Sequence, residues 1–145
     1  MSDGVSDTRL RVRYGETDQM GTFYNARALE WFECGRTEYL RMIGQPYADM
    51  EARGVYLPII EAHLSYRGRA RYDDELEITT RAGMSGRARV RFDVRIVHAA
   101  SGAEVVVGYT EHAFADAAGH ATRPPAWFRK ALDDGAAGRR RGHDC

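Results

Sequence analysis

The sequence predicts an α+β fold in which a curved, five-stranded antiparallel sheet wraps around one long central helix. Three observations lead to this prediction. One stretch, residues 26–43, carries apolar side chains at helical spacing. Four later stretches alternate apolar and polar residues and are joined by short turns, as in antiparallel hairpins. A chain of 145 residues suits one domain with one core.

The first two elements are a short strand and the long helix. Residues 10–14 alternate apolar and basic side chains, which is the period of a strand. Gly44 and Pro46 end the helix that follows. Gly35, in mid-helix, is a poor helix former, so we expect the helix backbone to approach a strand closely there. The helix residues expected in the core are Leu29, Trp31, Phe32, Tyr39, Leu40 and Ile43.

The remainder of the domain is predicted to be mostly strands. The predicted elements are strands at residues 59–72, 75–82, 88–97 and 105–114 and a short helix at 126–132. We therefore expect a single domain over residues 9–132, with flexible tails at 1–8 and 133–145.

Charge and composition argue against several classes of protein. Twenty-one basic and twenty-one acidic side chains cancel, so no net field favours nucleic acid or an anionic membrane. The sequence shows no apolar signal segment and no apolar run as long as a membrane span. Cys34 and Cys145 match neither a disulfide framework nor a metal cluster, and no pair of histidines has metal-ligand spacing. We expect a soluble protein of the reducing cytoplasm, without a bound metal.

Residues 14–25, between the first strand and the helix, contain the strongest candidate for a catalytic group. Asp18 lies just ahead of the helix N-terminus, where anions are favoured and free backbone N–H groups point outward. The N–H groups of residues 24–26 could polarise a carbonyl oxygen, and Gly21 lets the backbone approach a ligand. A carboxylate beside an oxyanion site is the minimum equipment for acyl transfer. The alternative is that Asp18 only stabilises the turn. Asn25 has two equally weighted interpretations: it caps the helix, or it orients Asp18 or a water molecule through its amide.

Other polar residues have a structural alternative beside the chemical one. Glu61 and His63 share a strand face and could act as base and orienter, but a hydrogen-bonded pair at a subunit interface is the favoured interpretation. His112 is expected to be a satisfied sheet histidine, and Cys34 a small buried apolar residue. Glu16 is expected to face solvent.

Three arginines are candidates for binding phosphate. Arg67, Arg69 and Arg71 would share one strand face, about 6–7 Å apart, where guanidinium groups could grip a nucleotide phosphate. The same spacing recurs over residues 87–91, so a solvated face is the leading alternative.

At these residues the chain resembles a known family. Residues 14–25, followed by 28–33 and Arg36, resemble the hot-dog-fold acyl-CoA thioesterases of the 4-hydroxybenzoyl-CoA thioesterase type. Residues 66–74 are similar to the family's strand-and-turn signature, and the resemblance spans roughly residues 9–128. It implies a hot-dog fold, a homodimer with one continuous sheet, association into a homotetramer, and an active site at the dimer interface. Coenzyme A would be part of the substrate, with no metal and no other cofactor.

The resemblance also implies roles for single residues. Asp18 takes the place of the catalytic aspartate, as nucleophile or as base for water. Tyr24 takes the place of the residue whose N–H binds the thioester oxygen, and Asn25 assists. Many relatives have His where this chain has Asn25, and Pro where it has Arg69.

The sequence therefore predicts a cytoplasmic hydrolase that cleaves the thioester of a small or medium acyl-CoA, aromatic acyl groups included. Ile59 and Ile60 are predicted to line the acyl pocket, and Arg67 and Arg71 to bind the phosphates of CoA. No nucleic acid or membrane partner is expected.

Two alternatives stay open at this point. One is a non-catalytic acyl-CoA-binding hot-dog protein, which the replacement of His by Asn25 favours. The other is a CoA-dependent dehydratase on the same fold, for which Glu61 and His63 would supply the acid/base pair.

Overall fold

One antiparallel sheet and one long helix make up most of the fold. The computed structural model describes residues 4–135, 139–141 and 145. In chain order the elements are β1 (Val5–Arg11), α1 (Arg27–Met42), α2 (Tyr47–Ala52), β2 (Ile59–Tyr66), β3 (Glu75–Ser85), β4 (Arg89–His98), β5 (Glu104–Ala113), α3 (Ala126–Gly135) and β6 (Arg139–Arg141).

The strands form one sheet in the order β2-β5-β4-β3-β1-β6. The five strands from β2 to β1 pair antiparallel, and the short β6 pairs parallel with β1. Strictly alternating side chains joined by short turns produce these hairpins, because each strand buries one face and turns back beside its neighbour. The predicted α+β hot-dog architecture is thus confirmed, with β6 as an added strand.

Helix α1 packs across the concave face of the sheet. Trp31, Phe32 and Tyr39 are almost fully buried between the helix and the strands. A Cβ added at Gly35 would lie 3.0 Å from Ile78 Cγ2 and would overlap Thr80, so the expected close approach of helix and strand is confirmed. None of the helices in the described chain is long and apolar enough to span a bilayer.

One predicted core residue of α1 is exposed. Leu29 is 41% exposed, whereas its neighbour Ala28 is fully buried. The prediction for Leu29 was wrong because the apolar stripe is wider than the face the sheet covers. Leu29 lies about 100° around the helix from Ala28 and points away from the strands.

The segment between α1 and β3 differs from the prediction in the length of its strand and in an added helix. The strand predicted over residues 59–72 ends at Tyr66, because the chain then leaves the sheet to pair with the segment before α1. There the Phe23 N–H donates to Ala70 O at 2.8 Å. Helix α2 was not predicted, since six residues are too short for a periodic pattern.

The predicted tails are shorter than expected. β1 begins at Val5, four residues inside the tail predicted at 1–8. α3 extends to Gly135, and residues 139–141 pair with β1. The rest of those predicted tails, residues 1–3, 136–138 and 142–144, lies outside the described residues.

The two cysteines form a disulfide bond. Cys34, in α1, is bonded to Cys145, with Cα atoms 6.4 Å apart and 111 positions between them in sequence. The prediction of unpaired cysteines was wrong, because no spacing rule links so distant a pair and only folding brings them together. Cys34 is half-buried rather than buried. The expectation of a reducing compartment loses this support.

Candidate active site

The turn between β1 and α1 positions Asp18. Gly21, with φ of +78°, donates its N–H to Asp18 O at 3.0 Å, and the Asp18 N–H donates to Thr22 O at 2.9 Å. Glycine adopts this left-handed backbone without strain. Asp18 Oδ1 accepts the Met20 N–H at 2.8 Å. Among the described residues Oδ2 accepts no hydrogen bond, so the turn engages only one of the two carboxylate oxygens.

The N-terminus of α1 lies next to this turn. The helix begins at Arg27 with Ala26 as its N-cap, and no side chain caps it. Of the two interpretations of Asn25, the one as helix cap therefore does not hold. Instead, the main-chain oxygen of Asn25 accepts the Tyr66 hydroxyl at 2.7 Å, which ties the helix start to β2.

The main-chain donors at the helix start are not equivalent. The Tyr24 N–H donates to Glu16 O at 2.7 Å, so the predicted role of Tyr24 as oxyanion donor conflicts with the structure. Within the described chain, the N–H groups of Asn25 and Ala26 donate to no acceptor. These two groups are the ones free to bind an oxyanion at the positive end of the helix.

Glu16, expected to face solvent, is buried. Its carboxylate accepts the Arg13 N–H at 2.7 Å and the Trp31 Nε1–H at 2.9 Å. Burial alone would raise the pKa of Glu16, but these hydrogen bonds and the Arg13 charge outweigh it and lower the pKa below its usual value. Glu16 thereby fastens the turn to α1. The sequence signal for this contact was the indole of Trp31, which needs an acceptor when buried.

Asp18 and Asn25 line one cavity of about 220 Å³. We call it the Asp18 cavity. Its remaining lining residues are Met20, Thr22, Phe23, Tyr66, Gly68 and Arg69. The structure thus brings Asp18 and Asn25, two of the three predicted catalytic residues, to one cavity.

The three predicted arginines do not act together. Arg69 lines the Asp18 cavity and donates from Nη2 to Met20 O at 2.8 Å. Arg67 forms an ion pair with Glu104 at 3.3 Å, and Arg71 lies outside the cavity lining. Because β2 ends at Tyr66, the predicted common strand face does not exist.

Ile59 and Ile60 lie far from the Asp18 cavity of their own chain. They are 48% and 44% exposed, at the opposite end of β2 from Tyr66. Seven residue steps along a strand span about 23 Å. β2 is the outer strand of the sheet, and no described strand pairs with its free edge.

Glu61 and His63 share a strand face, as predicted, but among the described residues no hydrogen bond or ion pair joins them. The Tyr109 hydroxyl donates to Glu61 at 3.5 Å, and the His63 ring stacks on Tyr109 with centroids 5.7 Å apart. Neither residue lines the Asp18 cavity.

A second cavity, of about 160 Å³, lies between the helices α1 and α2, the loop before β2, and the strands β4 and β5. We call it the Arg36 cavity. Its lining residues are Glu33, Arg36, Thr37, Leu40, Tyr47, Leu57, Phe92 and His112. None of these was predicted from the sequence as a site residue, because they come from separate elements.

His112 is fully satisfied, as the sequence predicted. Nδ1 lies 2.9 Å from Leu57 O, and Nε2 lies 2.9 Å from the Thr110 hydroxyl. Burial lowers the pKa of His112 to about 4; the Leu57 bond acts in the opposite direction, and the Arg36 charge lowers it further. His112 is therefore neutral near pH 7. Nδ1–H donates to Leu57 O, and Thr110 donates to Nε2.

The chain is similar in sequence and in structure to known thioesterases. The family model of the thioesterase-like superfamily matches residues 12–132. YneP of Bacillus subtilis (strain 168), whose name marks it as a candidate acyl-CoA thioesterase, is 41% identical over 76 residues. That match covers 52% of this chain and 55% of YneP, so it spans about half the length of that relative.

Two further matches are longer. The acyl-CoA thioesterase YbgC of Haemophilus influenzae is 32% identical over 98 residues, 67% of this chain and 72% of YbgC. The crystal structure of the DHNA-CoA thioesterase from Staphylococcus aureus superposes with a TM-score of 0.82 at 26% identity, covering 90% of this chain and 89% of that one. With a family model that matches most of its length and a hot-dog sheet around α1, this chain belongs to the thioesterase-like superfamily.

Proposed function

We propose that the protein is an acyl-CoA thioesterase for small or medium acyl groups. One observation carries this proposal: a carboxylate with a free oxygen, Asp18, lines the same cavity as Asn25, beside the unengaged N–H groups of Asn25 and Ala26. The names of its relatives, which record thioester hydrolysis, support it.

The arrangement supplies the parts that thioester hydrolysis needs. The carbonyl oxygen would accept the N–H groups of Asn25 and Ala26, which stabilise the negative charge of the tetrahedral adduct. As a base, Asp18 Oδ2 takes a proton from the water that attacks the carbonyl carbon; the C–S bond then breaks, and the thiolate takes up that proton. As a nucleophile, Oδ2 attacks the carbonyl carbon itself; the C–S bond breaks, CoA leaves as the thiolate, and an acyl–aspartyl anhydride remains, which water then hydrolyses, giving its released proton to the thiolate. Both routes end in the free acid, CoA and an ionised Asp18. A thiolate leaves without prior protonation, so one carboxylate is sufficient.

The proposal includes a homodimer joined along β2. An eight-residue edge strand offers unpaired N–H and C=O groups, and the half-exposed Ile59 and Ile60 add an apolar surface. Two-fold antiparallel pairing about the middle of β2 would bring Ile59 of one subunit beside Tyr66 of the other. The isoleucines would then line the partner's Asp18 cavity. Association into a homotetramer and a cytoplasmic location stay predictions.

Coenzyme A enters this proposal as part of the substrate, and no metal or further cofactor is expected. Arg69 replaces Arg67 and Arg71 as the proposed ligand of a CoA phosphate, because it alone of the three lines the Asp18 cavity.

The dehydratase alternative loses its acid/base pair, since Glu61 and His63 contact Tyr109 outside the Asp18 cavity. One observation still favours a non-catalytic acyl-CoA-binding protein: this chain has the amide of Asn25 where many relatives have an imidazole. This alternative predicts that acyl-CoA binds and is recovered unchanged.

The test is hydrolysis of a panel of acyl-CoA thioesters by the wild type and by Asp18→Asn. We expect kcat to fall about 10²–10⁴-fold, the range for losing a positioned acid/base group. Asp116→Asn is the matched control, because Asp116 Oδ1 also accepts main-chain N–H groups in a turn, at 2.9 Å. A wild type inert on the whole panel, or Asp18→Asn at full rate, contradicts the proposal.

A further inference from the structure

The Arg36 cavity is rich in hydrogen-bond donors. Arg36 makes one long hydrogen bond, from Nη1 to the Thr110 hydroxyl at 3.4 Å. Among the described residues it forms no ion pair within 4 Å. The Tyr47 hydroxyl accepts the Leu57 N–H at 3.0 Å, so its own hydrogen is free to donate. The remaining N–H groups of Arg36 and the phenol hydrogen of Tyr47 thus have no acceptor among the described residues.

Acceptors are scarce on the same walls. Both ring nitrogens of His112 are engaged, by Leu57 and by Thr110. The carboxylate among the lining residues is that of Glu33, which belongs to an exposed residue of α1. Burial lowers the pKa of Arg36, partly opposed by the charge of Glu33, so its guanidinium has given up part of its hydration. A desolvated cation without an ion-pair partner favours an anionic ligand.

The size and walls of the cavity suit a compact acyl chain. Leu40, Leu57 and Phe92 supply apolar surface. A volume of about 160 Å³ is close to that of engineered cavities of about 150 Å³ that hold a benzene molecule. A chain of a few methylene groups fits such a volume, with its last group beside Arg36.

The position of the cavity links it to the reaction. His112 pairs with Ile59, at the start of β2. Dimer pairing along β2 would bring this end of the strand to the partner subunit's Asp18 cavity. The acyl chain of a thioester held by one subunit would then enter the Arg36 cavity of the other.

We propose that the Arg36 cavity selects acyl groups that end in a carboxylate, with Arg36 as the counter-ion and Tyr47 as a second donor. A glutaryl group is the model substrate. This inference rests on the proposed thioesterase function and on the dimer.

The first test compares glutaryl-CoA with valeryl-CoA, which differ only by a carboxylate in place of a methyl group. We expect wild-type kcat/KM to favour glutaryl-CoA, and Arg36→Met to lower that preference about 10–100-fold, as expected for losing a hydrogen-bonded charge pair. Glu33→Gln removes a negative charge that would repel the carboxylate of the glutaryl group, so it should raise the preference for glutaryl-CoA about two- to threefold. Arg81→Met, at an exposed arginine of β3, is the matched control and should leave the preference unchanged.

The second test needs no turnover. Monomethyl glutarate and methyl valerate carry the same difference at the chain end, and thermal unfolding reports their binding. Of the two esters, we expect only monomethyl glutarate to raise Tm, and we expect Arg36→Met to abolish that rise. If Arg36→Met does not fold, the test rests on the wild type and Glu33→Gln: both should show the rise with monomethyl glutarate and not with methyl valerate.

The outcomes separate the two proposals. A rise in Tm that needs Arg36, in a protein that cleaves no thioester, would overturn the thioesterase and leave the carboxylate pocket. Efficient hydrolysis without preference for glutaryl-CoA, and no selective rise in Tm, would overturn the pocket and leave the thioesterase.

Discussion

The Asp18 cavity and the Arg36 cavity are built in opposite ways. The Asp18 cavity takes its carboxylate and its unengaged N–H groups from one turn and one helix start, within residues 18–26, and Tyr66, Gly68 and Arg69 complete its lining. The Arg36 cavity takes its polar groups from α1, α2 and β5, and its donors are side chains packed against the sheet. The reactive groups of the first cavity are therefore close in sequence, whereas those of the second come from distant elements.

The two cavities should therefore respond differently to mutation. Damage to the turn displaces the carboxylate and the main-chain donors that every substrate would use, so it should reduce kcat for all substrates without changing the preference between them. A cavity between helix and sheet shares its walls with the core, so damage there should change stability and substrate preference together. Three predictions, given in order of decreasing effect, test this contrast.

The largest effect is expected for Glu16→Gln. Glutamine keeps the shape of the Glu16 side chain, but it lacks the negative charge, and it has only one oxygen in place of the two that accept the Arg13 N–H and the Trp31 Nε1–H. We expect a loss of about 2–3 kcal/mol in the free energy of unfolding, the range for hydrogen bonds to a charged group, and about a tenfold fall in kcat. The preference for glutaryl-CoA should not change, because the Arg36 cavity is not touched.

The pH dependence of Glu16 follows from its lowered pKa. Its stabilising contribution is present above the ordinary glutamate value of 4.5 and is lost as pH falls through the lower pKa of the folded state. Glu30→Gln, at an exposed glutamate of α1 paired with Arg27, is the control and should change stability little. An unaltered kcat in Glu16→Gln would break the assignment of Glu16 as the anchor.

The next effect is expected for Gly35→Ala. The new methyl group would press on Ile78 and Thr80 and force α1 away from the sheet, next to Arg36. Overpacking costs about 1–3 kcal/mol, and the better helix propensity of Ala offsets about 1 kcal/mol. We expect a net loss of up to about 2 kcal/mol in chemical unfolding, with a weaker preference for glutaryl-CoA.

Gly83→Ala is the matched control for this change. Gly83 is in β3, and no atom lies within 4 Å of a Cβ built there. Equal stability losses in the two variants would contradict the close helix–strand approach.

The smallest effect is expected from the titration of His112. Its pKa is lowered from 6.5 to about 4 in the folded protein. Between these values the unfolded chain binds a proton that the folded chain does not, so stability falls as pH drops from 6.5 towards 4. At pH 5.5 the loss is about 1 kcal/mol.

The measurement is the free energy of unfolding against pH for the wild type and His112→Gln. The variant should show a shallower fall between pH 6.5 and 5, whereas His120→Gln, at an exposed histidine, should keep the wild-type slope. Identical slopes in all three proteins would contradict a neutral, buried His112.

Local chemistry was predictable from the sequence because its causes are local. Alternation over residues 88–97 determined β4 within a residue or two, since a strand with one buried face needs that period. Helical spacing and the glycine in mid-helix predicted α1 and its contact with the sheet. Asp18 and Asn25, seven positions apart, lie in one cavity because the short turn before the helix keeps the two residues close together.

What depended on distant contacts was decided only by the tertiary structure. The sequence could not show that Glu16 turns inward to Trp31, that the Tyr24 N–H is taken, or that Cys34 meets Cys145. The Arg36 cavity brings side chains of residues 33–47 to His112. The periodicity of a sequence does not show which side chains of distant elements will meet in the folded protein. The sequence alone was sufficient for α1, for β4 and for the turn that carries Asp18, because backbone preferences and side-chain period act over a few residues. The tertiary structure decided the burial of Glu16, the lowered pKa of His112 and the lining of both cavities, because burial and long-range pairing exist only once the sheet has packed against the helix.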